Sequence, residues 1–352
     1  MGLLQHNLSD VMQNVAQAVY EAHLNHDPEG MEYYDAVRKK RMLEDVIHNI
    51  SFLEVAMRLK DESLFTSYAS WLYTLLVHHM QDVPKTRVRD QLLLHYDLLI
   101  NALERSLDTA SFTLAKGYLE KAKHLTKTFD LDNPSKTFLE SPYALMRETY
   151  LDLLQNATPR EVIEYVRTLI NGALSLDDLY VDVLQPVMHE VGVLWQTGRI
   201  SVDEEHYMTS ITQTVLAQFY DRIFEKPRNG KTMLACTVGS ELHEMGARMV
   251  SDLFENHGWD SIYLGAAVPL KALLGAVEKH RPHLVALSVT MPQHLTECKA
   301  MVDALKKQFP DTVVAIGGQA FTMSSVSKET FGADIHEKDA KAFIEKAEAV
   351  IR

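Results

Sequence analysis

The chain has 352 residues, of which 46% are hydrophobic and 24% are charged, and its net charge is −13. This length suits roughly two or three domains, the apolar runs are too short to span a membrane, and the acidic balance argues against a nucleic-acid partner, which needs a basic face. With only two cysteines, Cys236 and Cys298, a disulfide framework is excluded and a cytoplasmic location is expected.

Residues 1–130 are predicted to form an all-helical domain. The amino terminus lacks the pattern of a signal peptide or a myristoylation site. Apolar residues at helical spacing predict helices over 8–24, 31–57, 61–79, 86–107 and 111–129. Their short connections favour a globin-like or helical-bundle sensor domain.

Several side chains of this domain are candidates for a tetrapyrrole pocket. They are His78, His79, His95, His124, Phe52, Phe65, Tyr68, Trp71 and Tyr73. Aromatic residues at helical spacing are more often core residues, and helix histidines are more often solvated or hydrogen-bonded. Because the domain has no cysteine, a thioether-linked bilin is excluded, whereas a non-covalent bilin stays open.

A turn-rich break at 130–136 separates this domain from a second helical domain, predicted over 138–226. Thr158-Pro159 and the pair Ser201 and Glu204 are helix-start signals, and Pro186 is expected to kink its helix. The four predicted helices cover 141–155, 158–172, 175–195 and 201–224.

Residues 230–352 are predicted to form a doubly wound α/β domain. Short apolar runs at 232–236, 261–265, 284–290 and 313–318 predict parallel strands that alternate with helices. The expected fold is thus α + α/β: an all-helical module, a four-helix cap and a parallel sheet of the Rossmann or flavodoxin-like type. His243 falls on the loop at the carboxyl end of the first strand, where open α/β sheets bind ligands.

Motifs at three strand ends resemble the cobalamin-binding family signature. They are Glu241-Leu242-His243-Glu244-Met245-Gly246, Ser288-Val289-Thr290 and Gly317-Gly318. In that family the first motif is Asp-x-His-x-x-Gly, so Glu241 stands where Asp is usual. The resemblance implies that His243 replaces the cofactor's dimethylbenzimidazole as lower cobalt ligand. The displaced nucleotide tail would enter the sheet between the first and third strands.

The residue types at these positions suit such a role. A neutral imidazole is a good ligand for a borderline transition metal, and the Glu241 carboxylate can fix its tautomer. Gly246 lets the backbone approach a flat macrocycle, while Gly317-Gly318 leaves room for the nucleotide tail. Ser288 and Thr290, on either side of Val289, offer hydroxyl groups to that tail.

The predicted cap carries a Trp-x9-Glu-His motif formed by Trp195, Glu205 and His206. Alone, Trp195 suits a helix core and Glu205 suits the positive end of a helix dipole. With the strand-end motifs, the spacing resembles the cap of the cobalamin-dependent photoreceptors, which are light-sensing transcriptional repressors. The resemblance implies that Trp195 and Glu205 contact the 5′-deoxyadenosyl group above cobalt, with His206 nearby. Those repressors have a second histidine where this chain has Gln196, so His206 or His189 would have to substitute after illumination.

The order of helical module, cap and cobalamin domain also resembles the photocobilins, which place biliverdin beside adenosylcobalamin. It implies a photoreceptor, not an enzyme, in which light cleaves the Co–C bond and changes the cap packing and the state of a homo-oligomer. Biliverdin would bind without a thioether near the amino-terminal helices. No helix-turn-helix signature or catalytic constellation of nucleophile and base is found.

Three alternatives compete with this interpretation. A corrinoid carrier for methyl transfer shares the cap and the sheet, although the Trp-x9-Glu-His spacing favours adenosyl over methyl. An adenosylcobalamin mutase needs an eight-stranded barrel that no stretch of this chain supplies. A sensor or scaffold without cobalamin is disfavoured by the intact His243 loop.

Overall fold

The computed structural model describes residues 8–26, 35–131, 138, 141–172 and 174–351. The chain divides into two compact units, of which the first is Met1–Leu131 with Met291–Thr296 and Met323–Val326, and the second is the remainder. The predicted break at 27–30 and positions 132–136 of the predicted linker lie outside the described residues. Within the described ranges, no helix is both long enough and apolar enough to cross a membrane.

The first unit contains a helical module, as the periodicity predicts. Asp35, Asp61 and Asp108 precede three of its helices, and their carboxylates accept hydrogen bonds from backbone N–H groups of the first turn. Its helices are α1 (Asp10–His26), α2 (Ala36–Leu59), α3 (Glu62–His79), α4 (Lys85–Ser106) and α5 (Thr109–Thr128).

The aromatic candidates of this module pack mainly against one another. The rings of Phe52 and Tyr68 stack with centroids 3.8 Å apart, and the Tyr68 hydroxyl donates to the side chain of Asn49 at 3.0 Å. Phe65 and Tyr73 are buried as well. This is the packing expected of core residues, since each ring is covered by neighbouring apolar groups.

The candidate histidines of this module lie in different environments. His124 is exposed, and Nδ1 of His78 lies 2.8 Å from the Thr74 carbonyl of its own helix. His95 is buried with Nδ1 3.0 Å from Nε2 of His23, and burial lowers the pKa of His95 to about 3. His95 is therefore neutral at physiological pH.

The second unit begins with the predicted four-helix cap. Capping boxes at Thr158 and Ser201 start two of its helices. The fourth predicted helix ends earlier than expected, at Ala217, and a short separate helix follows it. The elements are α6 (Ala144–Asn156), α7 (Pro159–Asn171), α8 (Leu176–Asp178), a π-helical segment (Leu179–Leu184), α9 (Gln185–Gln196), α10 (Val202–Ala217) and α11 (Tyr220–Phe224).

The π-helical segment replaces the simple kink expected at Pro186. A proline has no N–H group, so Pro186 cannot donate to the carbonyl of Asp182 one turn earlier. That carbonyl instead accepts a hydrogen bond from Nε of Arg147 at 2.6 Å. Arg147 is buried and also donates to the carbonyl of Phe138 at 2.9 Å. A side chain on α6 thus satisfies the backbone group that the proline leaves without a partner.

A parallel four-stranded sheet follows the cap, in the order β2-β1-β3-β4. The chain moves to one side of β1 for β2 and to the other side for β3 and β4, so the topological switch point lies between β1 and β3. The elements are β1 (Thr232–Thr237), α12 (Met245–Asn256), β2 (Asp260–Tyr263), α13 (Leu270–His280), β3 (Leu284–Ser288), a 3-10 turn (Pro292–His294), α14 (Leu295–Gln308), β4 (Val313–Gly317), α15 (Gln319–Thr322), α16 (Lys328–Phe331) and α17 (Ala340–Val350). The predicted strands and winding are confirmed, with β3 two residues shorter than expected.

The cap and the sheet share one hydrophobic core. Buried Tyr180 and Val191 of the cap belong to the same cluster as Leu253 and Trp259 of the sheet region, and Trp195 packs against its edge. Burial of this shared apolar surface stabilises the contact between cap and sheet.

Candidate functional site

The three predicted motifs meet at the carboxyl edge of the sheet. Thr237 at the end of β1 pairs with Ser288 at the end of β3, and Ser288 in turn pairs with Gly317 at the end of β4. The His243 loop therefore begins at the switch point, beside the positions predicted to receive the nucleotide tail. Parallel pairing brings together residues that are about 50 and 80 positions apart in sequence.

The side chain of His243 is oriented by Glu241. Nδ1 of His243 lies 2.5 Å from Oε1 of Glu241, and the same oxygen accepts the His243 backbone N–H at 3.0 Å. The Glu241 side chain is 1% exposed, whereas that of His243 is 61% exposed. A glutamate in place of the family's usual aspartate thus reaches the imidazole, which is presented on the outer surface of the loop.

Glu241 also forms hydrogen bonds with residues at the ends of β1, β2 and β3. Its second carboxylate oxygen accepts the backbone N–H of Thr290 at 3.0 Å. Its carbonyl accepts the Thr237 hydroxyl at 2.7 Å and the Ala267 backbone N–H at 3.0 Å. Because these partners come from three strand ends, the loop that carries His243 is held in one conformation before any ligand arrives.

The electrostatics link this loop to the cap. The hydrogen bond from Glu241 raises the pKa of His243 above its ordinary value, and the negative charge of Glu205 acts in the same direction. Glu205 lies on α10 of the cap. A carboxylate bound to Nδ1 also makes an imidazole a stronger metal ligand through Nε2.

The cap residues of the Trp-x9-Glu-His motif occupy α9 and α10. Trp195 and Gln196 are both half-buried at the end of α9. The Glu205 carboxylate accepts the Thr209 hydroxyl at 2.9 Å and lies 3.5 Å from Nε2 of the exposed His206. Glu205 is thus held by residues of its own helix.

The motif glycines have different structural roles. A methyl group built on Gly246 or on Gly317 would meet no atom within 4 Å, so both positions border open space. Gly318 has a φ of +105°, and a methyl group there would lie 2.8 Å from the amide nitrogen and carbonyl carbon of Val289. Gly317 therefore leaves room for a ligand, whereas Gly318 is required by the backbone itself.

Two contacts of the site were not predicted from the sequence. Tyr263 of β2 donates to the carboxylate of Glu244, next to His243, at 3.0 Å. Glu297 of α14 lies against Gly239, where a methyl group would come within 2.8 Å of its carboxyl carbon. Both contacts depend on residues distant in sequence, and no local pattern indicates them.

The donor set fits a cobalamin with one protein ligand. The exposed imidazole of His243 is held through Nδ1, which leaves Nε2 as the nitrogen for a metal. Gly246 in the first turn of α12 and Gly317 at the end of β4 both border open space, as the approach of a large cofactor requires. A nitrogen ligand beside open space is consistent with the binding of a cobalamin.

Comparison with known proteins agrees with this geometry. Residues 231–344 match a family described as B12 binding domain. Residues 146–220 match a second family with the same description. The first match covers most of the sheet region, and the second covers most of the cap.

Among characterised relatives, the chain is similar to the HTH-type transcriptional repressor CarA of Myxococcus xanthus. It is 33% identical over 158 residues, which are 44% of this chain and 52% of that protein, so the chain spans about half the length of this relative. It is 23% identical to dimethylamine corrinoid protein 1 of Methanosarcina acetivorans over 184 residues, which are 51% of this chain and 85% of that protein.

A solved structure with a similar fold is the monomethylamine corrinoid protein of Methanosarcina barkeri. The match has a TM-score of 0.51 at 17% identity and covers 59% of this chain and 99% of that one. At this identity the match supports the fold. The cap and the sheet region of this chain are therefore B12-binding domains, and the cofactor they bind is of the cobalamin type.

Proposed function

We propose that this protein is a light-sensing photoreceptor that binds adenosylcobalamin with His243 as the lower cobalt ligand. The observation that carries the proposal is that Glu241 orients the exposed imidazole of His243 at the carboxyl edge of the sheet, in a chain whose cap helices α9 and α10 carry the Trp-x9-Glu-His motif. The 33% identity to the repressor CarA over 158 residues supports a regulatory protein. The protein would act as a sensor and not as an enzyme.

Different residues of the chain would contact the two faces of the cofactor. His243 would bind cobalt through Nε2, with its tautomer held by Glu241. Trp195 would pack beside the adenosyl group, and Glu205 would hydrogen-bond it. Ser288, Thr290 and the space beside Gly317 would receive the nucleotide tail. When bound, adenosylcobalamin supplies a cobalt–carbon bond that light cleaves.

The response to light would be a change in the cap. Trp195 and Glu205 would contact the adenosyl group only while it is bound, so loss of those contacts would shift the equilibrium between cap arrangements. A change in the state of a homo-oligomer is the proposed readout. The order of the domains supports a further proposal, that biliverdin binds without a covalent link to the helical module.

The first test is an absorbance spectrum of the full chain, produced with adenosylcobalamin and biliverdin, before and after green light. A bound cobalamin whose spectrum changes on illumination supports the photoreceptor, and an added far-red band supports the bilin. A cobalamin spectrum that is unchanged by light contradicts the proposal.

Replacing Trp195 with alanine is expected to weaken retention of adenosylcobalamin about fivefold relative to hydroxocobalamin, because a packed aromatic ring contributes about 1 kcal/mol beyond its area. Titrations with both cobalamins measure this ratio. Trp195→Phe, which keeps an aromatic ring, should retain most of the original chain's preference for adenosylcobalamin. If Trp195→Ala abolishes binding of both cobalamins equally, then Trp195 supports the cap as a whole and the upper-face assignment is wrong.

A corrinoid carrier for methyl transfer is the second candidate. The observation in its favour is that the match to the dimethylamine corrinoid protein covers 85% of that relative, so the carrier architecture is present almost in full. A carrier would accept a methyl group from a donor enzyme in the dark and would show no green-light response with adenosylcobalamin. The same spectra therefore separate the two functions.

A further inference from the structure

A line of charged side chains runs along one face of α12, starting beside His243. Glu244 directly follows His243 and precedes the helix, and the next two members follow at intervals of four residues, which places them on one face. Each contacts a tyrosine from a different element. The three pairs, which we call the α12 row, are Glu244 with Tyr263 of β2, Arg248 with Tyr220 of α11, and Asp252 with Tyr180 of the π-helical segment.

The first two pairs have well-defined geometry. The Tyr263 hydroxyl donates to the Glu244 carboxylate at 3.0 Å. Arg248 donates to the Tyr220 hydroxyl from two guanidinium nitrogens at 3.0 and 3.2 Å, and its charge lies 5.6 Å from the centre of the tyrosine ring. The Arg248 contact joins the sheet region to the cap, because α11 follows directly on the last cap helix.

The third pair lies in the shared core. Asp252 is 6% exposed and Tyr180 is fully buried. The Tyr180 hydroxyl donates to the Asp252 carboxylate at 3.4 Å, a long hydrogen bond. Burial raises the pKa of Asp252 to about 6. A buried carboxyl group is costly unless it has polar partners, and here Tyr180 of the cap supplies one.

We propose that the α12 row couples the loop carrying His243 to the cap, with Tyr180 and Tyr220 as the positioning residues on the cap side. A short rigid helix begins at the His243 loop and ends two turns beyond Arg248, so a displacement at its start moves the groups that the cap contacts. The π-helical segment that presents Tyr180 is stabilised by Arg147 from α6, which extends the connection into the cap. The signalling role of this coupling rests on the proposed function, but the coupling itself exists without a cofactor.

Hydrogen exchange of the full chain without cofactor tests the coupling. The double variant Tyr180→Phe, Tyr220→Phe removes both cap hydroxyls and keeps both rings. We expect amides of α10 and of residues 241–246 to exchange about tenfold faster, because the hydrogen bonds of Tyr180 with Asp252 and of Arg248 with Tyr220 are lost. If exchange in residues 241–246 is unchanged, the proposal is overturned.

Tyr150→Phe provides the matched control. The Tyr150 hydroxyl is buried and lies 3.0 Å from that of Thr212, so both partners are within the cap. This variant should speed exchange in the cap and leave residues 241–246 as in the original chain. Equal acceleration of residues 241–246 in the control would show a general loss of stability and would also overturn the proposal.

A cofactor-binding experiment separates this proposal from the proposed function. The double variant should keep its hydroxocobalamin spectrum. Its affinity for adenosylcobalamin relative to hydroxocobalamin should fall about tenfold, since only binding of the adenosyl group depends on the cap. If the original chain shows no preference for adenosylcobalamin, the proposed function fails. The exchange of residues 241–246 then still decides whether the α12 row couples loop and cap.

Discussion

Alanine in place of His243 is expected to leave bound cobalamin with a base-off spectrum and to weaken its binding by about 100-fold or more. Loss of a residue that only supports a metal ligand typically costs about 10- to 100-fold in affinity, and loss of the ligand itself should cost at least as much. The structure supports this size of effect because His243 is the exposed imidazole on a loop held by Glu241. Absorbance titration with hydroxocobalamin measures both the spectrum and the affinity.

Two variants serve as controls for the His243 prediction. Glu241→Gln keeps an oxygen that can accept from Nδ1 but removes the charge, so binding should weaken by about tenfold with the nitrogen-ligated spectrum retained. His280→Ala removes an exposed histidine at the end of α13 and should change neither the affinity for cobalamin nor its spectrum. A nitrogen-ligated spectrum in His243→Ala would assign the lower ligand to another residue.

Alanine at Gly318 is expected to lower the free energy of unfolding by about 2–4 kcal/mol. The residue has a φ of +105°, where a side chain is strained. Its methyl group would also press on the Val289 backbone, and overpacking alone costs about 1–3 kcal/mol. Val289 is fully buried and hydrogen-bonded to Gly317 and Ala320, so it cannot move aside cheaply. Urea unfolding of the cofactor-free chain measures the loss.

The adjacent glycine gives the opposite expectation. Alanine at Gly317 meets no atom within 4 Å, so stability should change by no more than about 0.5 kcal/mol. If the space beside Gly317 receives the nucleotide tail, the same methyl group should weaken cobalamin binding. Equal losses of stability at the two positions would contradict the distinction drawn between them.

Local sequence patterns determined the secondary structure of most of this chain. The capping boxes at Thr158 and Ser201 depend on residues three apart, and the strands are short apolar runs, so both are visible without a partner in space. The alternation of short apolar runs with helical segments was enough to predict a parallel sheet with His243 at its carboxyl edge. The B12-binding matches over 146–220 and 231–344 agree with that prediction.

The tertiary structure alone decided how these elements meet. That Glu241 reaches His243 and Thr290 depends on a backbone turn and on the pairing of β1 with β3. The Asp182 carbonyl of the π-helical segment accepts a hydrogen bond from Arg147, which lies 35 residues earlier in the sequence. The tyrosines of the α12 row come from three separate elements. Such contacts are set by packing between segments far apart in sequence, and periodicity and spacing describe only the neighbours of a residue along its own chain.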